Sequence, residues 1–125
     1  MFVLVDSSVW MSHYKCSNEH LMQLWDQDEL LCHPLVIGEI ACGTPPAPRK
    51  ASLSALHELR KSNYATIAEV TAFIDDKELY GAGCGIVDIS LLTSTLITPD
   101  TKLWTLDKRL RTLAKRFCID YIPPI

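Results

Sequence analysis

Four acidic residues, Asp6, Glu39, Asp88 and Asp107, stand where a carboxylate is costly unless something compensates it. Asp6 closes the apolar run Phe2-Val3-Leu4-Val5, and Asp107 closes Lys102-Leu103-Trp104-Thr105-Leu106, so each is expected at the end of a strand. Glu39 and Asp88 fall near the starts of two apolar segments that read as helices. Buried Asp and Glu are rare unless paired or bound to a metal. In an open α/β sheet, ligands bind in the crevice beyond the carboxyl ends of the strands, so the simplest arrangement gathers all four carboxylates on that edge. Like charges about 4 Å apart repel by roughly 1 kcal/mol in water and roughly 4 kcal/mol at an effective dielectric near 20, so such a cluster calls for cations. Oxygen ligands without His or Cys select magnesium or manganese over zinc. One or two such ions orient a water, lower its pKa and stabilise an in-line phosphoryl displacement, which is the chemistry of a nuclease or phosphatase.

Ser7 and Thr105 are the expected supporting groups. Thr105 precedes Asp107 by two, so on a strand both side chains leave one face and the hydroxyl reaches a carboxylate. Ser7 follows Asp6 at the turn and either does likewise or bonds backbone. Each acid also has a plainer role: Asp6 as a turn residue, Glu39 as an ordinary first-turn Glu, Asp88 as a helix-start charge facing the dipole, and Asp107 as the cap of a helix from Lys108. His13, His20, His33 and His57 show no ligand spacing, and Asp75, Asp76 and Glu78 read as a solvated helix face.

The elements that must position these groups follow from the apolar pattern. After the first strand, Val9-Trp10-Met11 leads into a helix, and Asn18 caps a second whose inner face is Leu21, Leu24 and Trp25. Residues 30–33 read as a short strand, and Pro34 suits the first position of a helix that Gly43 and the prolines beyond it end. A helix is expected over 49–62, a short strand over 64–67, and a helix over 68–80. The glycines at 81, 83 and 85 stop that helix and lack the strand and full spacing of a dinucleotide fingerprint. The segment 86–97 is apolar on nearly every side and reads as a buried helix, followed by a strand over 102–107, an amphipathic helix with Lys108, Arg109, Arg111, Lys115 and Arg116 on its outer face, and a last short strand over 118–122.

A chain of 125 residues suits one domain, 1–125, and 48% hydrophobic with 22% charged residues is ordinary globular composition. A net charge of -3 argues against a generally basic nucleic-acid binder but allows a local basic face. The five cysteines show neither a C-x-x-C spacing nor a nearby His, which disfavours disulfides and zinc and suits a reducing cytoplasm. No basic leader and no membrane-length apolar run is visible in the sequence. If RNA is the substrate, Lys108 and Arg109, adjoining Asp107, are its expected phosphate contacts. Trp10, Trp25 and Trp104 read as core or dimer interface.

The order V-D-S-S-V-W at 5–10, P-L-V-I-G-E at 34–39, G-I-V-D at 85–88 and W-T-L-D at 104–107 resembles the PIN-domain ribonucleases, and most closely the VapC toxins of bacterial toxin-antitoxin pairs. The resemblance spans essentially the whole chain. It implies a three-layer α/β/α sandwich with a central, mostly parallel sheet, and an acidic pocket for magnesium or manganese. It also implies endonucleolytic cleavage of RNA to a 3′-hydroxyl and a 5′-phosphate, a homodimer, and inhibition by a small VapB-like antitoxin. Family roles carry over to Asp6, Glu39, Asp88 and Asp107 as catalytic, metal-binding carboxylates, with Ser7 and Thr105 supporting. Some relatives carry a further Asp or Asn after the last motif, whereas this chain continues Lys108-Arg109-Leu110-Arg111, a departure that counts against a second, strongly held ion. Two rival readings fit the residues: a phosphatase or phospho-accepting receiver domain, for which Asp6-Ser7-Ser8 lacks the second acid, and a non-catalytic binding module.

Overall fold

Phe2–Val5 forms β1, and Val3, Leu4 and Val5 are completely buried. Burial of successive residues means that both faces of the strand are covered, since side chains alternate across a sheet. The structure, a computed structural model, describes residues 1–124. β1 is the middle of a three-stranded parallel sheet, flanked by β2 (Leu30–Leu31) and β3 (Thr101–Trp104) in the order β2-β1-β3. The register pairs Val3 with Leu30, Leu4 with Leu31, and Val5 with Trp104. Single bridges extend the sheet on both sides, Cys32 to Lys61 and Leu103 to Asp120.

The helices are α1 (Ser7–Lys15), α2 (Glu19–Asp26), α3 (Pro34–Cys42), α4 (Arg49–Glu58), α5 (Ile67–Asp76), α6 (Ile86–Ile97) and α7 (Lys108–Arg116). α3 packs on α1 and α4, whereas α6 packs on α5, α7 and β3. Two helical groups over a parallel sheet buried on both faces make the expected α/β/α sandwich. Asn18 caps α2 by accepting from the Leu21 N–H at 3.0 Å. Pro34 opens α3 with its missing N–H at no cost, and His33 Nδ1 caps the helix by accepting from the Leu35 N–H at 3.0 Å. In α6, residues Ile89 to Thr95 are all buried, and Thr93 and Thr95 satisfy their hydroxyls by donating to the carbonyls of Ile89 and Leu91. Among the described residues, no helix is long and apolar enough to cross a membrane.

Several expected boundaries move. The strand expected over 64–67 is absent: Thr66 and Glu69 form a reciprocal capping box that starts α5, and this outweighs the β-propensity of the segment. The strand-like pairing comes earlier, at Lys61, so α4 ends at Glu58 and not near residue 62. α5 ends at Asp76 and not Tyr80, with Glu78 already in a left-handed turn at φ 53. β2 covers only Leu30–Leu31, the strand expected over 102–107 is Thr101–Trp104, and the last strand shrinks to one bridge at Asp120.

Candidate functional site

Asp6 follows the last residue of β1 at the start of α1, yet its side chain makes no capping bond to that helix. It is 4% exposed, and its Oδ2 accepts two hydroxyl hydrogen bonds, from Ser8 at 2.7 Å and Thr105 at 2.8 Å. Both hydroxyls are themselves fixed: Ser8 Oγ accepts from the Leu106 N–H and Thr105 Oγ1 from the Asp107 N–H, each at 3.0 Å. A backbone N–H only donates, so each hydroxyl must spend its own proton elsewhere, and the buried carboxylate is the acceptor in reach. The result ties the segment after β3 to the end of β1 and fixes the orientation of Asp6.

Glu39 projects from α3 and accepts from Ser7 Oγ at 3.0 Å on its Oε1. Burial pushes its pKa up; the Ser7 bond opposes this, and the charges of Asp6 and Asp88 add to the rise. Asp88, in the first turn of α6, accepts from the Gly85 N–H at 3.4 Å. Its pKa is likewise raised, first by burial, against the pull of that N–H, and further by Asp6 and Asp107. Asp107 is exposed, and its Oδ1 accepts from the Arg109 and Leu110 N–H groups at 2.9 and 3.0 Å, capping α7. Thus the charge of Asp6 bears on both Glu39 and Asp88, and that of Asp107 bears on Asp88.

Among the described residues no Lys, Arg or His forms an ion pair with any of the four acids. Among the described residues the ion pairs are Met1 with Asp100, Arg60 with Asp28 and Lys77 with Asp76, all remote from this edge. Arg109 turns its Nη1 to the Gly83 carbonyl at 3.5 Å, and Lys108 is exposed. The donor set fits a hard divalent cation, being all oxygen and free of ion pairing. It is an open rim and not a closed cage: among the described residues no three His, Cys, Asp or Glu side chains stand close enough to enclose an ion. Magnesium is commonly held by one or two carboxylates with the remaining positions filled by water and phosphate, so an open rim suits it.

Two expectations change in detail. Thr105 does not serve the Asp107 carboxylate: β3 stops at Trp104, the two side chains are not on one strand face, and the hydroxyl goes to Asp6. Ser8 was missed by sequence reasoning. Its signal was a hydroxyl two residues past the strand-end acid, a position from which it folds back on that carboxylate.

No protein-family model matches the chain. The chain is similar to ribonuclease VapC32 of Mycobacterium tuberculosis, at 39% identity over 109 residues that cover 87% of each protein, in both the CDC 1551 / Oshkosh and H37Rv strains.

Proposed function

Because the chain belongs to the VapC-type PIN-domain ribonucleases, we propose that Asp6, Glu39, Asp88 and Asp107 are the active site of an endoribonuclease acting as a single domain. The family relation does not favour the phosphatase, receiver-domain or non-catalytic readings. In the proposed site one or two of Asp6, Asp88 and Asp107 would hold the cation directly, and the remaining acids, Glu39 included, would reach it through water. A bound magnesium or manganese ion would supply the positive charge that a phosphodiester and its attacking water require. Ser8 and Thr105 fix the orientation of the Asp6 carboxylate, and Ser7 bonds Glu39. The raised pKa of Glu39 suits it to accept a proton from water. Lys108 and Arg109, on the first turn of α7 next to Asp107, would meet flanking phosphates.

The observation that carries this reading is the buried Asp6 carboxylate, which caps no helix and is held by the hydroxyls of Ser8 and Thr105, with none of the ion pairs among the described residues involving it, Glu39, Asp88 or Asp107. As a VapC relative the protein has RNA as its substrate class and an antitoxin as its partner class. A VapB-like inhibitor fits the apolar hollow of about 520 Å³ between α1 and the loop after α3, where Met11, Tyr14, Ile40 and Pro45 meet. A homodimer and action in the cytoplasm, where RNA is met, complete the proposal. Incubating the purified chain with RNA, with magnesium or manganese or with a chelator, tests it. Cleavage that needs the cation and leaves 5′-phosphate ends is expected; cleavage indifferent to chelation contradicts it.

A further inference from the structure

Arg109 stands in the first turn of α7, two residues after Asp107, and is exposed. An Arg so close to acids is expected to fold onto one of them, yet among the described residues it forms no ion pair with Asp88 or Asp107. It lies instead against Gly83, in the loop ahead of α6, and its Nη1 donates to the Gly83 carbonyl at 3.5 Å. The fit is close. A Cβ on Gly83 would stand 2.7 Å from Arg109 Cδ and 3.0 Å from both Nε and Nη1, so a side chain there would push Arg109 off its seat.

A second glycine of the loop separates this seat from ordinary turn geometry. Gly81 and Gly83 both have left-handed backbones, at φ 75 and φ 81, which alone favours glycine at each. A Cβ on Gly81 would meet nothing within 4 Å, whereas one on Gly83 would meet Arg109. The seat also adjoins the segments that carry two of the acids. Gly83 comes two residues before Gly85, whose N–H bonds Asp88 Oδ2, and the Asp107 carboxylate accepts from the Arg109 N–H. Cys84, next to Gly83, has its pKa raised first by burial and then by the charges of Asp88 and Asp107, while Arg109 lowers it. Both acids and the guanidinium therefore bear on one residue.

We propose that Gly83 is a positioning residue for RNA: by lacking a side chain it seats Arg109 near the acids but unpaired with them, so that the guanidinium meets a phosphate beside the cleaved bond. The proposal rests on the ribonuclease reading above and adds Gly83 to it. A guanidinium paired with Asp88 or Asp107 would cancel a charge that the cation needs and lose its own for RNA. Seated on Gly83, it commits one N–H group to the protein and keeps the others for the bidentate contact that phosphate accepts. Holding the side chain before RNA arrives also lowers the rotamer entropy lost on binding, which is large for a free Arg.

The experiment is steady-state cleavage of a labelled single-stranded RNA by the full chain in manganese, over a range of salt. It compares wild type with Arg109→Gln, Gly83→Ala, Gly81→Ala and the double variant Gly83→Ala/Arg109→Gln. All three positions are exposed, so the variants should fold, as circular dichroism would verify. Arg109→Gln and Gly83→Ala should each raise KM about tenfold with kcat unchanged, the mark of a lost binding contact. Each should also flatten the dependence of log(kcat/KM) on log salt by about 0.7, the share of one phosphate on a single strand. Gly81→Ala carries the same backbone strain in open space and should match wild type. The double variant should be no worse than Arg109→Gln, because Gly83 acts only through that side chain. The proposal is overturned if Gly83→Ala behaves as Gly81→Ala does, if its effect persists in the Arg109→Gln background, or if the loss falls on kcat. Weakened manganese binding in Arg109→Gln also overturns it, since Arg109 would then be a strut for the acids. If wild type cleaves no RNA, the ribonuclease reading fails separately. The NMR signal of the Arg109 Nε–H then decides. A resolved signal that moves on adding inorganic pyrophosphate, and that collapses to the free-arginine position in Gly83→Ala, supports the seat. One already at that position in wild type, or unmoved by pyrophosphate, overturns it.

Discussion

The ends of β1 and β3 look alike in sequence, an apolar run closed by an aspartate, but they do different work. Asp6 follows β1 directly, is buried, and leaves the N-terminus of α1 uncapped while two hydroxyls grip one of its oxygens. Asp107 comes three residues after β3, is exposed, and spends Oδ1 on two backbone N–H groups of α7. A carboxylate that caps a helix has a structural reason to be acidic. One that is buried, makes no cap and is oriented by two hydroxyls has no such reason, so the contrast singles out Asp6 as the acid whose placement helix capping does not explain.

Substitution should break that contrast most sharply at Asp6. Asp6→Asn keeps shape and a hydroxyl acceptor but removes the charge, and RNA cleavage should fall by about a thousandfold or more, with the circular dichroism spectrum and melting temperature little changed. At Asp107 two variants separate the two roles. Asp107→Asn, an equally good cap, should lose about a hundredfold in cleavage at wild-type stability, whereas Asp107→Ala should also lose about 1 kcal/mol on thermal unfolding.

Removing the grip on Asp6 should cost less than removing Asp6. Thr105→Val deletes the hydroxyl that joins the two strand ends, and manganese affinity and cleavage should drop about 10- to 100-fold, the usual range for a group that orients a ligand. Ser8→Ala should behave similarly; wild-type affinity in both would show that Asp6 needs no orienting.

What was legible in the sequence follows the same physics. β1, α3 and α6 stood out because their apolar residues, and Pro34 at the start of α3, obey patterns set by local geometry. The four acids stood out because each interrupts such a pattern. Tyr64-Ala65-Thr66-Ile67 misled because β-propensity is a weak preference, and the Thr66–Glu69 capping box holds the segment to a helix start. The true partner of Thr105 was hidden because it depends on residues 99 positions apart meeting across the sheet, which periodicity does not report, whereas the bond of Ser8 to Asp6 spans only two residues.

The smallest expected effect concerns stability. Burial and neighbouring acids raise the pKa of Glu39, so the folded protein holds its proton to higher pH than the unfolded chain does. That stabilising contribution is complete below the ordinary value of 4.5 and is lost as pH climbs through the raised folded value. In chelator at pH 7, Glu39→Gln should therefore melt about 1 to 3 °C above wild type, with the gap closing toward pH 4.5. Saturating manganese should reverse the order, because the cation stabilises only the chain that binds it well.

The most direct test of a shared acidic crevice is calorimetric titration of manganese into the metal-free protein and into Asp6→Asn, Glu39→Gln, Asp88→Asn and Asp107→Asn. One saturable site in wild type, weakened by every one of the four substitutions and most by Asp6→Asn, is the expected result. No binding to wild type, or an affinity that survives the loss of Asp6, would contradict it.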